Sequence, residues 1–180
     1  MPFEPTPIPG LSVYSPRVIE DDRGYFFEAF NQRVFEEAGI RVTFVQDNQA
    51  RSHRGVLRGM HYQTGDFAQA KLVRVVQGKV FDVAVDIRPD SDTYGQSFSV
   101  VLSQENKKQL FIPRGFAHGY LVLSETAEFF YKCDNFYSRD HEGGIRFNDS
   151  RLALKWPLPA EELVLSERDL NLPFFGEHRS

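Results

Sequence analysis

From Val42 to Tyr131 the apolar positions come in short runs, many alternating with polar ones, and no helical stripe separates them. Strand side chains alternate faces with period 2, so such runs read as half-buried strands. They span Val42–Ala50, Gly55–Gln63, Lys71–Gln77, Lys79–Ile87, Ser97–Leu102, Gln109–Ile112, Tyr120–Leu123 and Ala127–Asn135. Gln77-Gly78, Arg88-Pro89-Asp90 and Pro113-Arg114-Gly115 mark turns between them. Upstream, Pro2, Pro5, Pro7, Pro9 and Gly10 make residues 1–10 an extended arm outside the core, confined to a sheet edge because proline has no N–H to donate. Leu11–Ile19 and Tyr25–Phe30 read as two further strands around an Asp21-Asp22-Arg23-Gly24 turn. One helix is expected over Gln32 to Ala38: Asn31 caps it, Val34, Phe35 and Ala38 share a face, and Gly39 stops it. Beyond Trp156-Pro157 the chain turns polar, with a helical turn at Pro159–Leu163 and a turn or helix start at Ser166–Asp169. Closely spaced strands without alternating helices predict an all-β chain, an antiparallel sandwich or barrel. Roughly eight or more strands of this length suit a jelly roll. With no repeat and no linker, residues 1–180 read as one domain.

Composition narrows the class. The 180 residues, 41% hydrophobic and 26% charged, are enough for one sizeable core in a soluble domain. The 17 Phe and 7 Tyr favour strands over helices. A net charge of −4 and a pI near 5.7 argue against nucleic acid as a partner. No apolar run approaches the ~20 residues of a membrane span, so no membrane partner is expected. Met1-Pro2-Phe3-Glu4-Pro5 has neither the basic region nor the apolar core of a signal peptide. Cys133 is the single cysteine, which rules out an internal disulfide framework and points to a cytoplasmic protein. The thiol itself reads as buried and structural.

The chemistry concentrates in Gly55-Val56-Leu57-Arg58-Gly59-Met60-His61-Tyr62-Gln63 and in Lys71 beyond it. Lys71, Val73 and Val75 share one face of their strand, and Asp82 and Ala84 share one face of the next. On neighbouring strands, His61, Lys71 and Asp82 can therefore point into one cavity. Taken alone, His61 reads equally well as a satisfied core histidine. The nearby Arg58, Lys71 and His118 favour a site, since converging cations need a reason and a phosphate supplies one. Pro113-Arg114-Gly115-Phe116-Ala117-His118 is similar to the second motif of the cupins, a jelly-roll family, and the region from Gly59 to Gly78 sits where their first motif falls. Metal-binding cupins carry His-x-His and then a glutamate there. This chain has His61-Tyr62-Gln63 and then Lys71, whose ammonium has no lone pair for a metal. The site is therefore read as free of metal. Such residues can move a proton next to a carbonyl. A histidine, with an ordinary pKa of ~6.5, is a suitable base near neutrality. A lysine ammonium stabilises the enolate oxygen. Inversion needs an acid on the opposite face, and Tyr131 in Phe129-Phe130-Tyr131-Lys132 is the candidate.

Several spaced blocks carry a wider resemblance: Asp22-Arg23-Gly24-Tyr25-Phe26-Phe27-Glu28, Phe44-Val45-Gln46-Asp47-Asn48, the Gly55–Gln63 stretch, Lys71-Leu72-Val73-Arg74, Phe81–Arg88, Ile112–Gly119 and Asn135-Phe136-Tyr137. Over nearly its whole length the sequence resembles the dTDP-4-dehydrorhamnose 3,5-epimerase family. The resemblance implies a homodimeric cupin jelly roll without metal or cofactor. It implies inversion of C3 and C5 of dTDP-4-dehydro-6-deoxy-D-glucose, both centres acidified by the 4-keto group, in dTDP-rhamnose biosynthesis. It places the base on His61, the orienting carboxylate on Asp169, the proton donor on Tyr131 and the enolate-stabilising cation on Lys71. It also places substrate contacts on Arg58 and His118, near the sugar and phosphates. Arg23 falls on a nucleotide contact that reaches the neighbouring subunit's site. Phe26, Glu28, Gln46, Asp47 and Asn48 fall on nucleotide-side segments, Glu142 on a further contact, and Tyr137 on the aromatic that stacks on thymine. Arg168 stands where many relatives carry lysine, keeping the charge of a phosphate contact but changing its geometry. Cys133 lies in a segment often rich in threonine in relatives, and no function attaches to it. Three alternatives stay open at this point: an epimerase of C3 or C5 alone, a metal-dependent cupin oxygenase, and a non-catalytic sugar-nucleotide binding cupin.

Overall fold

The computed structural model describes residues 2–179; Met1 and Ser180, the ends of the expected arm and domain, lie outside them. The strands are β1 (Phe3–Pro5), β2 (Ser12–Tyr14), β3 (Ile19–Asp21), β4 (Gly24–Phe26), β5 (Gln46–His53), β6 (Leu57–Gln63), β7 (Lys71–Gln77), β8 (Lys79–Asp86), β9 (Ser97–Ser103), β10 (Gln109–Ile112), β11 (Phe116–Val122), β12 (Thr126–Cys133) and β13 (Glu142–Gly144). Two short helices, α1 (Gln32–Glu37) and α2 (Glu167–Leu170), accompany them. Two antiparallel sheets form a jelly-roll sandwich, six strands in the order β1-β2-β10-β7-β12-β5 against five in the order β13-β6-β11-β8-β9. A separate ribbon of β3 and β4 completes the set. Among the described residues, no helix is long and apolar enough to cross a membrane.

The main core fills the space between the sheets. Val73, Val75, Leu110, Ile112 and Phe129 from one sheet meet Val80, Ala84, Leu102, Phe116 and Val122 from the other. Each sheet is also covered outside. On the six-stranded sheet α1 lays Phe35 over Tyr14, Leu72 and Phe111. On the five-stranded sheet the C-terminal tail lays Ile145 and Leu152 over Met60, Tyr62, Val83 and Val85. Asn31 caps α1 by accepting from the Arg33 N–H at 3.1 Å, and Gly39 follows with φ of +82°, as its stop requires.

This double cover explains where the expectations fail. Every residue of β11 is buried, so the strand lacks the alternation that marks a half-buried one. It starts at Phe116, not Tyr120. The expected Leu11–Ile19 strand divides into β2 and β3, and Tyr25–Phe30 shortens to β4. The strand expected from Val42 begins at Gln46, because Val42 packs against α1 instead. The proline-rich arm does hold the sheet edge as β1, yet Ile8 is buried in the main core, which the expectation of an arm outside the core missed. β7 and β8, read as neighbours, belong to opposite sheets, so Lys71 and Asp82 reach the interior from facing sides. β13 has no apolar run to announce it.

Candidate active site

A cavity of about 170 Å³ opens between the sheets. Strand alternation sets its lining on β11 and β12, while on β6 Arg58 and His61 are three apart and share the cavity because the pairing with β11 shifts register beside Gly59. β6 supplies Arg58 and His61, β11 His118 and Tyr120, β7 Lys71, β12 Phe129 and Tyr131, and β5 Ala50. Residues two apart on a strand share a face, so Phe129 comes with Tyr131 and Tyr120 with His118. The Tyr120 and Phe129 rings stack at 4.0 Å and 15°, walling one side.

His61 Nε2 donates to Asp169 Oδ1 at 2.7 Å. Asp169 comes from α2, whose Ser166 cap accepts from the Asp169 N–H at 3.1 Å. The second carboxylate oxygen accepts from the Gly59 N–H at 3.4 Å. Burial alone would raise the Asp169 carboxyl, but the His61 hydrogen bond and charge, the Gly59 N–H and Arg168 outweigh it and hold the group below its ordinary range. With Nε2 committed to the carboxylate, Nδ1 of His61 keeps its lone pair for a proton.

Lys71 and Tyr131 face each other, the ammonium 6.0 Å from the ring centroid. Burial lowers the Lys71 pKa, while Cys133, Glu142 and Asp82 push it back up. Burial, with Cys133 and Tyr120, raises the Tyr131 phenol to about 12. The phenol is thus a protonated donor at neutral pH. Arg58 Nε donates to Ser52 Oγ at 3.2 Å, which aims its guanidinium along the cavity. His118 Nε2 lies 3.0 Å from both oxygens of the fully buried Asp82. Cys133 is buried, as its sequence reading expects, with Asn48 Nδ2 at 3.8 Å from its sulfur. A base, a cation and an acid around one cavity can carry proton abstraction next to a carbonyl and return of a proton.

Outside the cavity, Glu142 organises polar groups. Its carboxylate accepts from the exposed Tyr137 hydroxyl at 2.9 Å and from Arg168 at 2.8 Å. Gln46 accepts from the Tyr137 N–H at 3.1 Å and donates to Asn48 at 3.1 Å.

Comparison with known sequences and structures shows the family. The profile of a family described as dTDP-4-dehydrorhamnose 3,5-epimerase matches residues 5–177. The chain belongs to that family. A dTDP-4-dehydrorhamnose 3,5-epimerase of Pseudomonas aeruginosa is 57% identical over 90% of this chain and 89% of its own. The crystal structure of the enzyme of that name from Elizabethkingia anophelis superposes with a TM-score of 0.94 at 51% identity, covering 97% of this chain and 96% of its own. A Legionella pneumophila dTDP-6-deoxy-D-glucose-3,5-epimerase, solved in complex with dTDP-4-keto-L-rhamnose, gives 0.93 at 47% identity, covering 97% and 92%.

For a member of the epimerase family, the single chain assembles only part of the expected site. His61, Lys71, Arg58, His118 and Tyr131 meet in the cavity, and Asp169 supports His61 from behind. Gln46 and Asn48 stand opposite Cys133 and Tyr131 on β5, on the inner face. Asp47, between them, points to the outer face and pairs with Lys132 at 2.8 Å. Arg168 and Glu142 neutralise each other at the rim. Arg23, Phe26 and Glu28 lie away from the cavity. The ribbon rests on the outer face of the six-stranded sheet, where Tyr25 meets Lys107 at 3.8 Å and lines a cleft with Arg74. Ala29, next to Glu28, is held there by Gln109 at 2.7 Å. Sequence reasoning missed Tyr120, Phe129 and Ser52 as parts of the site, although the two-residue spacing from His118 and Tyr131 marks the first two.

Proposed function

We propose that this chain inverts C3 and C5 of dTDP-4-dehydro-6-deoxy-D-glucose to give dTDP-4-dehydro-L-rhamnose. The observation that carries this reading is the His61–Asp169 pair at 2.7 Å beside a cavity that also holds Lys71 and Tyr131. His61 Nδ1 takes the proton from a carbon next to the keto group. The electron pair moves onto the keto oxygen as an enolate, which the Lys71 ammonium stabilises. The Tyr131 phenol delivers its proton to the opposite face of that carbon, so the centre inverts. Arg58 holds the phosphates, and Tyr137 takes the flat thymine ring. No metal or cofactor enters this scheme, and a chelated preparation keeps its turnover.

The functional unit in this reading is a homodimer. Ile19, Tyr25 and Phe26 are 54%, 57% and 66% exposed on the ribbon, a cluster of large apolar side chains that a second copy covers. The same docking brings Arg23, Phe26 and Glu28 to the partner's cavity, which their own fold keeps them from.

The test is deuterium uptake from heavy water into the keto-sugar nucleotide, without any reductase, located by NMR. Label at both C3 and C5 is expected. Label at one carbon makes the protein a single-position epimerase. No label with substrate bound makes it a binding protein.

A further inference from the structure

A second histidine–carboxylate pair lies directly across the strands from the first. His118 on β11 is the register partner of His61 on β6. Asp82 is fully buried on β8, and both its oxygens lie 3.0 Å from His118 Nε2. No other hydrogen bond reaches the Asp82 carboxylate among the described residues. A carboxylate buried with one partner is costly, and the flanking Val80 and Ala84 show that an apolar residue would suit this strand face. Packing alone does not account for it.

The two pairs differ in access. The His61 side chain is 29% exposed and that of His118 8%. The His118 ring lies beside the stacked Tyr120–Phe129 pair, 6.0 Å and 22° from Phe129 and 6.5 Å and 33° from Tyr120. A base must exchange its proton with solvent at each turnover, and His61 has that route. His118 lines the cavity with a fixed ring, and its Nδ1 has no protein partner among the described residues. A carboxylate on Nε2 fixes the proton there and leaves Nδ1 as an acceptor.

We infer that Asp82 is a positioning residue: it locks His118 as the Nε2–H tautomer, so that Nδ1 accepts a hydrogen bond from a sugar hydroxyl while His61 alone takes the carbon-bound protons. The inference rests on the epimerase reading and adds a holding post to it. Asp82 has a second effect, since its charge counters the loss of the Lys71 proton to burial.

The experiment pairs kinetics of Asp82→Asn with a ¹⁵N-histidine NMR spectrum of the wild-type protein. Loss of one hydrogen bond's worth of holding is expected as a roughly tenfold rise in KM, with kcat changed far less. Deuterium uptake at C3 and C5 is expected to slow together. The wild-type spectrum is expected to show His118 protonated on Nε2 and bare on Nδ1, with Nδ1 shifting when the dTDP-sugar binds. Uptake lost at one carbon and kept at the other would make His118 a second base and overturn the inference. Unchanged KM and kcat would leave Asp82 a purely structural group. Should Asp82→Asn fail to fold, a wild-type His118 carrying its proton on Nδ1 would overturn the inference alone. Absence of any deuterium uptake by the wild-type protein rejects the epimerase reading instead, and the two failures are thereby separated.

Discussion

A Cβ on Gly59 would fall 2.5 Å from the Cα of Gly119, so β6 and β11 touch backbone to backbone beside the two histidines. The register of this strand pair shifts between His118 and Tyr120, next to the contact. Gly59 has φ of +135°, and its N–H points at Asp169. Gly59→Ala meets both a backbone clash and a conformation that L side chains avoid. The expected cost is about 2–4 kcal/mol in urea unfolding, with turnover lowered as well because the contact orients Asp169.

Removing the base tests the His61 assignment. His61→Ala is expected to lower kcat by about 100- to 10,000-fold with fold and dTDP binding retained. Asp169→Asn leaves the ring in place but removes the charge that steadies the imidazolium, so a smaller loss of the same kind is expected. Near-wild-type turnover of His61→Ala would exclude His61 as the base.

Tyr131→Phe separates proton removal from proton return. His61 is intact in this variant, so exchange of substrate protons with heavy water continues, while net inversion falls by about 100-fold or more. The phenol also carries a stability signature. Its pKa is about 12 in the folded chain against 10.0 as an ordinary tyrosine, so between these values the unfolded chain loses a proton that the folded chain keeps. Stability is therefore expected to fall as pH rises through this window, less steeply in Tyr131→Phe, and a tyrosinate absorbance titration with unfolding curves checks it.

Lys71 is lowered by burial, so its ammonium is lost at a pH below the ordinary lysine range. If that ammonium holds the enolate, the alkaline limb of kcat/KM falls below ~10.4. Lys71→Met is expected to lower kcat sharply and to remove that limb. An unchanged alkaline limb in Lys71→Met would assign the titration to another group.

Subunit exchange tests the shared site. Arg23→Ala and His61→Ala are each expected to be poorly active as homodimers. On the homodimer reading, mixing and refolding them together gives heterodimers in which the Arg23→Ala chain keeps His61 and borrows Arg23 from its partner. Recovered turnover on mixing is expected, and a mixture no better than its components would place Arg23 outside the partner's site.

The run of strands, the edge position of the prolines, the Asn31 cap and the conjunction of His61, Lys71 and Tyr131 were all legible in the sequence. Each rests on local chemistry: side-chain period, missing N–H groups, a capping oxygen, residue types able to move a proton. The sequence reading grouped Gln46, Asp47 and Asn48 together, and only the pairing of β5 with β12 separated Gln46 and Asn48 on the inner face from Asp47 on the outer one. Family resemblance, not pattern, pointed to Asp169, which pairs with His61 from 108 residues away. The tertiary structure alone decided that Lys71 and Asp82 come from facing sheets, that Asp82 serves His118, and that Arg23, Phe26 and Glu28 stand outside their own cavity. Period 2 assigns a face to a side chain but not the strand it will meet. That pairing is set when two sheets close over a common core and each buried charge must find its partner.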